Sequence, residues 1–66
     1  MNVAVNGRDR RLESGTTVAA LLRELELEGK PVAVERNGIT VPKADHAHTH
    51  LADGDRVEIV TFVGGG

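Results

Sequence analysis

A chain of 66 residues with a formal net charge of −2, one Phe and no Cys, Trp or Tyr is tightly bounded in what it can be. It has room for one domain with an aliphatic core, and a domain this small buries only about 60% of the surface its unfolded chain exposes. The missing cysteines exclude disulfides and thiolate–zinc staples, a single aromatic residue excludes a base-stacking platform, and interspersed charges without a basic patch argue against nucleic acid.

The opening Met1-Asn2-Val3-Ala4-Val5 alternates, so Met1, Val3 and Val5 share one face of a half-buried strand. Asn6-Gly7 is a two-residue hairpin signal. Arg8 to Glu13 reads as a charged returning strand anchored by Leu12, and charge on an edge resists unwanted pairing. Ser14-Gly15-Thr16-Thr17 marks the change to a helix, with Thr17 or Thr16 as N-cap. Val18, Leu21, Leu22 and Leu25 follow the spacing of one buried helix face, and Gly29 is the expected stop.

Pro31 to Arg36 is a second alternating strand with Val32 and Val34 inward. Asn37-Gly38 repeats the turn signal, and Ile39 to Val41 is a short strand cut off by Pro42. Lys43 to His50 has no clean period and reads as a polar loop with room for one helical turn. After the Asp53-Gly54-Asp55 turn comes the longest strand, Arg56 to Val63, and then Gly64-Gly65-Gly66.

The element order ββαβββ predicts an α+β domain with one helix packed across a mixed sheet. Strands one and two form a hairpin, and the last strand is expected parallel to the first, since both need a central, apolar place. That is the β-grasp arrangement of ubiquitin-like folds. The expected division is a β-grasp domain over residues 1–63 and a flexible glycine tail over 64–66.

The tail carries the candidate chemistry. Residues without Cβ can thread a narrow channel and approach a nucleotide closely. A carboxylate on Gly66 is a poor electrophile, because resonance and charge protect its carbon. Attack of its oxygen on the α-phosphate of ATP expels pyrophosphate and gives an acyl adenylate, and a sulfur nucleophile can then displace AMP to leave a thiocarboxylate. The chain has no G-x-x-x-x-G-K phosphate loop and no defensible Ser/His/Asp set, so activation belongs to a separate enzyme that uses ATP. The chain itself is expected to be a carrier, not an enzyme, and to bind no cofactor.

Several segments together resemble the bacterial thiamine sulfur-carrier family, ThiS. They are the strand ending in Asn6-Gly7, Gly15-Thr16-Thr17-Val18 before Leu21-Leu22, and Val32-Ala33-Val34-Glu35-Arg36-Asn37-Gly38. Ile39-Thr40-Val41-Pro42, Leu51 to Val60 and the end Val63-Gly64-Gly65-Gly66 complete the set. The resemblance implies a ThiF-like adenylyltransferase as activating partner and a thiazole synthase, ThiG, as sulfur acceptor. Gly66 is then the residue adenylated and thiocarboxylated, and Gly65 its required neighbour.

In the last strand, Val57, Ile59, Thr61 and Val63 share one face, and Arg56, Glu58, Val60 and Phe62 the other. With Val57 and Ile59 toward the helix, Val60 and Phe62 form an exposed patch rimmed by charge. Together with Val63 and Gly64 it is a candidate partner-binding surface. Phe62 can alternatively cover the end of the core. His46, His48 and His50 alternate at spacings a metal could use, but a solvated polar loop accounts for them and no metal site is assigned.

Alternative functions share the tail. A small subunit of molybdopterin synthase, or a carrier for amino-acid synthesis, would use the same activation. A ubiquitin-like modifier would form isopeptide conjugates through Gly66, and a plain interaction module would not need the tail. No apolar run approaches the ~20 residues of a membrane span. With no leader pattern either, the cytoplasm is the expected compartment.

Overall fold

The structure, a computed structural model, describes residues 1–62. Strands β1 (Asn2–Val5) and β2 (Arg8–Arg11) precede helix α1 (Val18–Glu24), and β3 (Val32–Arg36), β4 (Ile39–Thr40) and β5 (Arg56–Thr61) follow it. The sheet order is β2-β1-β5-β3-β4. β5 runs parallel to β1, with Val5 beside Val57, and antiparallel to β3, with Val34 beside Ile59. The described residues thus form the expected ubiquitin-like β-grasp, one helix on a mixed five-stranded sheet.

Alternation decides the layers. Val3 and Val5 of β1, Val34 of β3, and Val57 and Ile59 of β5 point to one side, where they meet Val18, Leu21 and Leu22 of α1. Leu12, Val41 and Leu51, from the connecting segments, close this core. Leu25 is only partly buried, because the helix has already ended there.

Both helix ends are solved by local chemistry. The Thr17 hydroxyl accepts from the Ala20 amide at 3.1 Å, so Thr17 is the N-cap. Two more free amides of the first turn donate outward, Val18 to the Thr49 carbonyl and Ala19 to the His46 carbonyl, each at 3.0 Å. The 43–50 segment therefore completes the helix start. It begins with a 3₁₀ turn at Lys43–Asp45.

The helix does not run to Gly29. Glu26 adopts φ +60° and ends it. The Glu26 amide donates to the Arg23 carbonyl at 3.0 Å and the Leu27 amide to the Leu22 carbonyl at 2.8 Å. These two bonds make a Schellman motif, with Glu26 in the position glycine usually fills. Leu27 then folds back on the core beside Leu22, which is why the chain turns three residues before Gly29.

Candidate functional site

The site is the C-terminal half of β5 and the surface around it. Each Asn-Gly turn takes positive φ at both residues, +50° and +82° at Asn6-Gly7 and +52° and +82° at Asn37-Gly38. Both match the primed two-residue hairpin turn. The turns do more than reverse the chain, because both asparagine side chains reach β5.

β1 stops at Val5, leaving the β1-facing backbone of Ile59 without a strand partner. Asn6 supplies one. Its Oδ1 accepts from the Ile59 amide at 2.7 Å, and its Nδ2 donates to the Ile59 carbonyl at 3.1 Å. On the other side, Asn37 Oδ1 accepts from the Arg56 amide at 2.9 Å while the Asn37 amide donates to the Arg56 carbonyl at 2.7 Å. One strand is thus gripped by two carboxamides acting as stand-ins for backbone.

Asp55 anchors the start of β5. Its carboxylate accepts from the Ala52 amide at 2.8 Å, Asn37 Nδ2 at 3.0 Å and Arg36 Nε at 2.8 Å. Burial alone would raise its pKa, but those hydrogen bonds and the Arg36 charge outweigh it and hold the carboxyl below its ordinary value. Every partner favours the ionised form, so this is an anchor and not a poised acid.

Val60 and Phe62 are each 56% exposed, while Val57 and Ile59 are buried, as the alternation requires. Val60 lies opposite Ala33 of β3 on the outer sheet face, with Glu58 and Glu35 paired one step away on that face. Phe62 donates its amide to the Pro31 carbonyl at 3.0 Å, continuing the β5–β3 ladder past the strand end. Its ring also borders a groove with Leu22, Leu27 and Val32, so it lies at the boundary between sheet face and core edge. Val63, Gly64, Gly65 and Gly66 lie outside the described residues.

The histidines separate. His46 is buried, and its Nε2 donates to the Val41 carbonyl at 3.0 Å. It is a structural anchor of the 43–50 segment rather than part of a solvated loop. His48 and His50 are exposed. Among the described residues no three His, Cys, Asp or Glu side chains are grouped to hold a metal ion. No described helix is long and apolar enough to cross a membrane.

The sequence reading missed the two asparagine side chains, Ala33 beside Val60, and the helix-side placement of Arg8 and Arg10. The last could have been read from the alternation, since Arg8 and Arg10 pair with inward-pointing Val5 and Val3.

The profile of the ThiS family matches residues 3–66. The chain is 47% identical over 66 residues to a thiazole synthase of Paramagnetospirillum magneticum, covering all of this chain but 20% of that protein. It thus spans about a fifth of the length of the thiazole synthases it matches. It is 43% identical over 63 residues to the sulfur carrier protein ThiS of Bacillus subtilis, covering 94% of this chain and 96% of that protein. The crystal structure of the thiamine biosynthesis protein ThiS from Geobacter metallireducens superposes with a TM-score of 0.84 at 35% identity, over the full length of both chains. A profile match over nearly the whole chain, a relative covered over 96% of its length and a shared fold agree: this chain belongs to the ThiS family.

Proposed function

We propose that Gly66 is adenylated by a ThiF-like enzyme using ATP, converted to a thiocarboxylate, and presented to a thiazole synthase. The observation that carries this reading is the placement of β5. It is clamped on both sides by Asn6 and Asn37 and ends at Thr61, so the strand that leads in sequence to Val63-Gly64-Gly65-Gly66 is held in place. A carrier needs this combination, because a rigid body fixes where a slim segment enters another enzyme. The exposed Val60 and Phe62 are the proposed docking residues beside it, with Val63 and Gly64 continuing the contact.

The chemistry assigns the chain no acid–base step. Among the described residues, Asp55 is held ionised by its donors and His46 is committed to Val41. The chain therefore acts as a co-substrate, and the cytoplasm is its proposed compartment. The test is intact-mass spectrometry after incubation with a ThiF-type adenylyltransferase, ATP and a sulfide source. The expected result is a gain equal to one oxygen exchanged for sulfur, abolished by deleting Gly66. An unchanged mass in the presence of a competent enzyme overturns the carrier chemistry for this chain. High-mass isopeptide conjugates in its place would turn the reading to a protein modifier.

A further inference from the structure

A second surface lies on the helix side of the sheet, on the opposite face from Val60. β2 is an edge strand, and α1 ends too early to cover the sheet beneath it. The result is a groove of about 390 Å³ with a floor of Val5, Leu25, Leu27 and Ile59. Arg8 and Arg10 line it, and no acidic residue does. Thr61, at the end of β5, lines it as well, so the groove opens next to where the chain leaves the sheet.

Among the described residues neither guanidinium has an ion-pair partner. The ion pairs among the described residues are Arg23–Glu28 and Arg36–Asp55, and neither involves this groove. Arg10 Nε is buried and meets no acceptor among the described residues. An orphaned buried donor is costly, more so when it carries charge, unless something arrives to accept from it. Two arginines side by side over an apolar floor, in a chain whose net charge is −2, concentrate positive potential at one place. A guanidinium fork is built for a carboxylate, and the floor for an aliphatic side chain beside it.

We infer that this groove docks a protein segment carrying a carboxylate next to an apolar side chain, presented by the sulfur-accepting thiazole synthase. The inference rests on the acceptor proposed above. Thiazole synthases are chosen because proteins of that name match this chain over only a fifth of their length, so a stretch resembling this carrier is joined to such an enzyme in one polypeptide, and a carrier and an enzyme so joined are expected to meet. The outer face with Val60 and the Arg8/Arg10 groove would then grip the partner on both sides of β5.

The test is binding of the carrier to purified thiazole synthase, by calorimetry at low and high salt. Arg8→Glu/Arg10→Glu is expected to weaken binding roughly tenfold or more at low salt, with the gap closing at high salt as the charges are screened. Arg8→Lys/Arg10→Lys is expected to recover part of the affinity, because charge returns without the fork. Sulfur loading by the adenylyltransferase, read by intact mass, is expected to be unchanged in both. If the double reversal fails to fold, the single Arg8→Glu carries the test, since the Arg8 side chain is exposed. Unchanged affinity in a folded charge-reversal variant overturns the inference and leaves the carrier chemistry standing. A loss of loading with unchanged synthase binding also overturns it, by moving the groove to the activating enzyme. No binding by the unaltered chain overturns both the groove and its acceptor, while loading still reports on Gly66.

Discussion

Replacing Asn6 by Asp exchanges the side-chain NH2 group for an oxygen and changes the fate of β5. Asp tolerates the left-handed conformation that Asn6 occupies at φ +50°, so the turn itself survives. Its oxygen still accepts from the Ile59 amide, now 2.7 Å away in the parent. The atom that donated to the Ile59 carbonyl at 3.1 Å becomes a carboxylate oxygen facing a carbonyl oxygen. A net hydrogen bond worth about 0.5–1.5 kcal/mol is lost, and a part-buried carbonyl goes unpaired at roughly 1–3 kcal/mol if water cannot reach it. The loss should be about 2 kcal/mol, a large share of the ~3–10 kcal/mol that a domain of this length commands. Asn6→Gly removes both bonds, leaves the turn geometry and allows water in, so it should cost a similar amount. Urea unfolding gives the free energy, and amide exchange at Ile59 locates it. A change below about 0.5 kcal/mol, with Ile59 exchange as slow as in the parent, would refute the idea that Asn6 serves as a strand partner.

Three further outcomes follow from the same structure. Glu26→Gly should stabilise the chain by about 1 kcal/mol, because glycine carries no penalty at φ +60°, and a thermal scan should show a rise of roughly 4–8 °C. Asp55 has a lowered folded pKa, so its contribution is present above the ordinary carboxylate value of about 3.9 and is lost as pH falls through the folded value. Asp55→Asn should flatten the acid limb of a stability–pH profile below about pH 4 while lowering stability at pH 7. Val60→Asp should leave the thermal transition within about 0.5 kcal/mol of the parent, as expected for an exposed site, yet slow adenylation; a normal rate would remove Val60 from the docking surface.

Much of the fold is written in periodicity. Val3 and Val5, Val34, and Val57 and Ile59 each announce an inward face by alternation, and Val18, Leu21 and Leu22 announce theirs by helical spacing. Two Asn-Gly pairs place two turns, because positive φ at consecutive residues is open to few side chains. The exposed Val60 and Phe62 are legible for the same reason: each lies where the period turns an apolar residue away from the core.

What the sequence alone could not decide is which long-range partner each polar group would find. Asn6 and Ile59 are 53 residues apart, and only the parallel placement of β1 beside β5 brings that amide to that backbone. The same holds for Asn37 with Arg56 and for Asp55 with Arg36. His46 reads as solvated until the segment that carries it folds under the helix and buries the ring against Val41. Helix length was also settled in three dimensions, since Leu27 turning back beside Leu22 outweighs the strain at Glu26 and overrides the more obvious stop at Gly29. Apolar burial depends on pattern, which a sequence displays. Hydrogen-bond satisfaction depends on coincidence in space, which only the assembled sheet and helix provide.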